Sequence, residues 1–306
     1  MSEIMDDTST AVERATPDLQ AAATGVLAHA LIAASEGAGK ALEIEDSVVA
    51  VHELRKSFKR MRGLLRLVRG RQMGAARELR RTLADAARQL SGARDQAAQA
   101  EAMDDLMAKA GVTPAVSKAA LRALAPAEQA ADGDALARNR AALILLIERC
   151  QEASPRLAGS LRPKALLAAL AEDYEKARSA GQEADIDDAE SLHELRKTVV
   201  NHRYQMELLT PFWPAQGKLW EAELQRLREK LGKHHDLAVL IEQLEAAPPS
   251  TVARRKWHTP LHDAAKARQQ RLAVSAMRLH ARLFAERPKA FRRRLAAYMN
   301  SAADSK

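Results

Sequence analysis

Aromatic residues make up only 3% of the 306-residue chain: three Trp, three Tyr and four Phe. Proteins that grip single-stranded nucleic acid stack bases on aromatic side chains, so that class of function lacks its usual means here and nucleic acid is an unlikely partner. There is a single cysteine, Cys150. It excludes an internal disulfide and a cysteine-based zinc cluster, suits a reducing compartment, and reads as a small apolar filler near a helix end. The most apolar run, Ala141-Ala-Leu-Ile-Leu-Leu-Ile147, is far shorter than the ~20 residues needed to cross a bilayer, so no membrane association is expected. Nothing alternates with period two, so strands are not expected. No G-x-x-x-x-G-K-[ST] phosphate loop occurs. The opening stretch to Pro17 is acidic and polar, carries no signal-peptide pattern, and is expected to be a disordered leader over residues 1–15. A cytoplasmic protein is the expectation.

What is abundant is the set of good helix formers, Ala, Leu, Arg, Glu and Gln. Helices are expected near 17–35, 46–70, 74–109, 114–130 and 133–153, then 161–180, 187–210, 215–246, 250–285 and 288–300. Ser154-Pro155 and Gly159 through Pro163 punctuate the chain between the two sets. The net charge is +8 and the pI about 9.7, which points to a polyanionic partner or an anionic surface.

One stretch is written twice. His52-Glu-Leu-Arg-Lys opens residues 52–66, and His193-Glu-Leu-Arg-Lys opens residues 193–207, an offset of 141. The offset recurs downstream, where Arg94-Asp95 falls on His235-Asp236. Two patches in constant register indicate an internal duplication. The fold expected is all-α, two pseudo-symmetric antiparallel helical bundles over residues 16–155 and 156–300.

Placed on a helix, the first copy separates into two faces. Leu54, Phe58, Met61, Leu64, Leu65 and Val68 gather on one side, while His52, Arg55, Lys59, Arg62 and Arg66 line the other, with Lys56 at its edge. That is the spacing of a buried seam, filled with cations. Glu53 is the only acid between residues 52 and 71. Solvated helices interleave signs, gaining about 0.2–0.5 kcal/mol per i,i+4 pair, whereas cations about 6 Å apart repel by roughly 0.7 kcal/mol in bulk water and more beside an apolar wall. An anionic ligand would relieve this strain; the bland alternative is a solvated basic face. The second copy keeps His193, Arg196, Lys197 and Arg203 but has Val200 and Glu207 in place of Lys59 and Arg66. The track is therefore expected to be interrupted there, and Val200→Lys with Glu207→Arg to extend it.

The paired motifs, the repeat, the helical composition and the basic surplus resemble the CHAD family, the conserved-histidine α-helical domains. The resemblance covers about residues 16 to 300. It implies two four-helix bundles related by a pseudo-twofold axis, with inorganic polyphosphate as partner in a basic groove between them, no cofactor, and polyphosphate granules as a possible location. The phosphate-binding set it suggests is His52, Arg55, Lys56, Lys59, Arg62, Arg66, His193, Arg196, Lys197 and Arg203. Each histidine stands one turn before a lysine. Surrounded by cations, it should resist protonation until an anion arrives. The alternative role is a hydrogen bond that supports the repeat interface.

Other groups are weaker candidates. The helix after the first motif carries Arg77, Arg80, Arg81 and Arg88 opposite Leu79, Leu83 and Leu90; Arg77, Arg81 and Arg88 are taken as further phosphate contacts, and His235 joins them from the second half. His258 and His262 have the i,i+4 spacing of metal ligands but no evident acidic companion, and are expected at the edge of the core. His234 and His235 are adjacent and cannot both face one ion on a regular helix, so no metal site is expected. Arg268, Arg271, Arg278 and Arg282 form another basic stripe. No metal-binding carboxylate cluster or positioned nucleophile and base stands out, nor does the Glu-x-Glu-x-Lys strand of the CYTH hydrolases often fused to CHAD modules. A non-enzymatic polyphosphate-binding module is the first reading. A polyphosphate or phosphometabolite hydrolase or phosphotransferase using His52 or His193, and a nonspecific binder of nucleic-acid backbone, remain open.

Overall fold

The computed structural model describes residues 17–90, 94–124, 132–159, 161–246 and 252–304, so the expected leader lies outside them. They form eleven α-helices: α1 (Pro17–Ala41), α2 (Ser47–Leu65), α3 (Met73–Gln89), α4 (Arg94–Ala110), α5 (Pro114–Leu124), α6 (Asp132–Gly159), α7 (Pro163–Gln182), α8 (Ala189–Met206), α9 (Pro214–Ala246), α10 (Val252–Leu283) and α11 (Pro288–Asp304). No strand occurs among the described residues.

The two motif helices begin alike. Asp46 caps α2 by accepting from the Val48 and Val49 amides at 2.8 and 3.1 Å, and Asp188 caps α8 by accepting from Glu190 at 3.0 Å. Each carboxylate satisfies backbone donors that the first helical turn leaves without partners. All six residues expected on the apolar side of the first motif helix are buried, Leu54, Phe58, Met61, Leu64 and Leu65 on α2 and Val68 just past its end. After α2 the chain reverses through Gly70, whose φ of +69° is a conformation that glycine adopts without the steric penalty of a side chain.

α1, α2, α3 and α6 pack together, and α7 lies against α8, α10 and α11. One core cluster runs through both groups, from Leu27 to Met299. Where α2 meets α8, the helices touch backbone to backbone: a Cβ built on Gly63 would lie 3.5 Å from the Tyr204 Cβ and 3.6 Å from the Asn201 Cα. Gly63 and Tyr204 are the residues that the 141-residue offset equates.

Two expectations change. The helix foreseen over 74–109 is two helices, because α4 leaves α3 to pack with α5 against the far ends of α9 and α10. There Met103, Leu106 and Ala120 meet Leu237, Leu240, Leu244 and Leu261 in a second, smaller core. Ser154-Pro155, read as a stop, lies inside α6, which continues to Gly159.

The contacts between the halves include buried ion pairs. Asp173 of α7 is 3% exposed and accepts from Arg66 at 2.8 and 3.2 Å, from Lys176 at 2.8 Å and from Gln205 at 2.8 Å. Gln205 also donates to the Gly63 carbonyl at 3.0 Å. Burial pushes the Asp173 carboxyl up, but these donors outweigh it and hold it down to about 2. Asp105 of α4 plays a similar part in the smaller core, accepting from Arg268 at 2.7 and 3.2 Å and from Lys233 at 2.8 Å.

On α8, His202 is fully buried with neither ring nitrogen hydrogen-bonded, its ring 5.5 Å from those of Tyr174 and Phe284 and 5.8 Å from that of Phe291. Burial pushes it down to about 4, against the opposing pull of Asp173. His234, also buried, is pushed down to about 4 by the same cause.

Two outcomes follow from these buried groups. Asp173→Ala strands Arg66, and should cost about 3 kcal/mol in urea unfolding, the low end for a broken buried pair because Arg66 retains some solvent. For His202 the folded value lies below the unfolded one, so between about pH 6.5 and 4 the unfolded chain binds the extra proton. Stability should fall as pH drops through that window, by about 3 kcal/mol for this group. His234 titrates over the same window, so His202→Phe should remove about half of the combined slope; an unchanged slope would show that His202 is not one of the groups responsible. Asp173 adds its loss only as pH falls from 3.8 towards 2.

Candidate functional site

The basic faces of α2 and α3 adjoin. At the start of α2, His52 and Lys56 are exposed, and Lys56 pairs with Glu53 at 3.0 Å. Arg55 donates to the Ala87 carbonyl at 2.6 Å, satisfying an acceptor that the last turn of α3 leaves open. Lys59 and Arg62 are half-buried. Burial holds the Arg62 guanidinium below its ordinary value, as do Arg88 and Arg66, while Asp85 opposes them. Arg80 on α3 is lowered in the same way by burial, then by Arg66, Arg77 and Arg62, with Asp173 opposing. Arg62, Arg66, Arg77, Arg80 and Arg88 therefore form one electrostatic cluster.

Within it, Arg66 is bound to Asp173 and Arg88 is paired with Asp85. Arg77 and Arg81 are exposed. Arg81 acts instead on Glu78, a carboxylate held below its usual range chiefly by the hydrogen bond and charge of Arg149 on α6, 2.7 Å away. Arg80, read from the sequence as part of this basic face but not among the phosphate contacts, is half-buried. At 100° per residue it lies beside Ala76 and Ala87, on the edge of the α3 stripe nearest the core, and that position turns it towards α2.

The second motif helix is arranged differently. The His193 ring rests on that of His235, centroids 4.1 Å apart, and the buried His193 Nδ1 has no hydrogen-bond partner. Burial lowers the affinity of His193 for a proton, as do Lys197 and Arg196, while Glu190 and Glu194 oppose them. Arg196 passes over Gly232, its Nε 3.7 Å from where a Cβ would stand. Lys197 pairs with Glu194 and reaches Glu190 at 4.0 Å. Arg203 lies 4.8 Å above the Tyr204 ring and 3.4 Å from Glu207.

Glu207, expected as an interruption of the basic track, is a half-buried counter-ion, 2.9 Å from Arg60 and within reach of Arg203. Burial raises its carboxyl, with Arg60 and Arg203 opposing.

The remaining candidates are placed as follows. His258 is buried and donates to the Leu244 carbonyl at 2.9 Å; His262 does have an acidic companion, Glu245, at 3.1 Å. Among the described residues no three His, Cys, Asp or Glu side chains are grouped so as to hold a metal ion. Arg268 is tied to Asp105, while Arg271, Arg278 and Arg282 are exposed. The side chains of Arg94 and Asp95 lie outside the described residues.

A family model described as the CHAD domain matches residues 19–245, well over half of the chain. The protein belongs to the CHAD domain family. No curated protein and no solved structure matches it. The match runs from α1 to the end of α9, so it contains both His-Glu-Leu-Arg-Lys helices and the arginine cluster, while α10 and α11 of this CHAD protein lie beyond it.

Because Glu207 neutralises two arginines, Glu207→Arg should place three guanidinium groups together and destabilise the fold by roughly 2 kcal/mol in thermal or urea denaturation. It should give no gain in anion binding. A variant as stable as the parent would return Glu207 to the role of a gap in the surface track.

Proposed function

We propose that this CHAD domain binds inorganic polyphosphate on the joined faces of α2 and α3, and that it binds without turning it over. The observation that carries the reading is the crowding of cations around Arg62 and Arg80, whose charged forms are disfavoured first by burial and then by neighbouring guanidinium groups, Arg88 and Arg66 acting on Arg62, and Arg66, Arg77 and Arg62 on Arg80. A row of phosphates brings repeated negative charge at short intervals and relieves that repulsion at several arginines together. Guanidinium groups suit such a ligand, because their planar forks can each take two phosphate oxygens. No base pocket is needed, in keeping with the few aromatics of the chain. His193 contributes at the second helix, where an incoming anion would favour its protonated form and make both ring nitrogens donors. Such a module would serve to place the protein on polyphosphate granules.

Arg62→Met with Arg80→Met removes two of the mutually repelling charges while keeping the aliphatic stems. Affinity for long-chain polyphosphate, titrated at fixed ionic strength, should fall by more than tenfold, because well-formed charge-assisted contacts contribute about 1.5–3 kcal/mol each. Thermal stability should hold or rise, as relief of like-charge repulsion predicts. Parental affinity should also decline log-linearly with salt. Near-parental affinity in the double variant would move the site elsewhere. Release of orthophosphate during incubation, with or without a divalent metal, would make the protein a hydrolase, and ready displacement of polyphosphate by duplex DNA would make it a general polyanion binder.

A further inference from the structure

The two motif helices touch near their C-terminal ends. Gly63 packs on Tyr204 there, and Arg60 meets Glu207 at 2.9 Å. As the residue number falls on α2 it rises on α8, so the two run in opposing senses and their His-Glu-Leu-Arg-Lys turns lie on opposite sides of the contact. Arg66, the last cation of the first stripe, fixes how far the second turn is from the first-half cluster. Its guanidinium shares Asp173 with Gln205. His193 stands twelve residues before Gln205 on α8, about 18 Å along the helix axis.

The charges divide in the same way. Besides burial, what acts on Arg62 and Arg80 comes from the end of α2, from α3 and from Asp173. What acts on His193, besides burial, comes from α8 alone: Lys197, Arg196, Glu190 and Glu194. Those four charges cancel formally, two of each sign, and Lys197 is paired with Glu194. The turn therefore becomes positive when the His193 ring, whose buried Nδ1 has no hydrogen-bond partner, takes a proton. Between the two groups Arg60 and Arg203 flank Glu207 and leave one positive charge over.

A short ligand gains nothing by leaving the arginines for a balanced turn, and three linked phosphates cannot cover the gap. A long chain anchored on the arginines can, and its free end reaches His193 at the high effective concentration of a tethered group. The arriving anion favours the protonated ring, and both nitrogens then donate.

We propose that the protein selects linear polyphosphate by length: short oligophosphates occupy the α2–α3 face alone, a long chain also engages His193, and this histidine confers the preference. The proposal rests on the reading of the basic surface given above. Its test separates the two by titrating tripolyphosphate and long-chain polyphosphate in parallel, at fixed ionic strength near neutral pH. Arg62→Met with Arg80→Met should weaken both ligands. His193→Gln should weaken long-chain binding about fivefold and leave tripolyphosphate at the parental affinity, which also shows that the α2–α3 face is intact. Lys197→Met, a change at an exposed position one turn on, should give the same split, so the comparison does not depend on how position 193 tolerates replacement. A His193→Gln variant that weakens both ligands alike, or neither, would overturn the length selection and leave the basic surface in place. A parent that binds neither ligand would overturn the reading of that surface and this proposal with it.

Discussion

A carboxylate buried at the junction of the two halves sets the conditions for much of this structure. Left alone, Asp173 would be too costly to bury in its charged form. It is tolerated because Arg66 from α2 reaches it with two hydrogen bonds while Lys176 and Gln205 complete its shell. The geometry of the join follows from that requirement. Gln205 can serve Asp173 and the Gly63 carbonyl together only where α2 and α8 touch, and Gly63 permits that approach because no side chain separates the backbones. The next residue, Tyr174, stacks on Phe291 with centroids 4.0 Å apart and donates to the Glu286 carbonyl at 2.8 Å. One turn of α7 thus anchors both α2 and the C-terminal helix.

The histidines divide by environment rather than by motif. His202, His234 and His280 are buried, and burial keeps each of them neutral. His280 packs so closely on α7 that a Cβ on Gly181 would lie 2.1 Å from its ring, and it donates to the Ala177 carbonyl at 2.9 Å. These rings serve as aromatic filler with a polar edge. His52 and His193 stand at the beginnings of the basic helices, where they remain within reach of solvent. A count of nine histidines therefore says little about chemistry, because the groups within reach of each ring decide what it can do.

What could be read from the sequence is whatever a single helix determines. The apolar side of α2 was legible residue by residue, because a period of 3.6 fixes which side chains share a face. The basic stripe was legible for the same reason. Arg80 was read as part of the basic face but not as a neighbour of α2, because that depends on which helix α3 packs against, and the pairing of Glu207 was hidden because Arg60 lies on another helix, far away in sequence. The separation of α3 from α4 was hidden in the same way: both segments have helical composition, and only the second core formed with α9 and α10 requires a change of direction. The Glu245 companion of His262 is likewise a contact between two helices.

These cross-helix partners also account for the imbalance between the two motif helices. Three arginines of the first half, Arg60, Arg66 and Arg69, end on three acids of the second, Glu207, Asp173 and Glu172, at 2.9, 2.8 and 2.7 Å. The acids of α7 and α8 therefore act on the cations of α2 and the turn after it. This alters the meaning of the charge difference between the copies. The acidic residue of the second copy, Glu207, supplies a counter-ion to the junction. The neutralisation does not extend over the whole surface. Arg62 and Arg80 feel Arg66 as a repelling charge although Asp173 is bound to it. The ion pair that closes the junction thus holds a guanidinium beside two others, and the cation-rich face of the first half is in part a product of how the second half is attached to it.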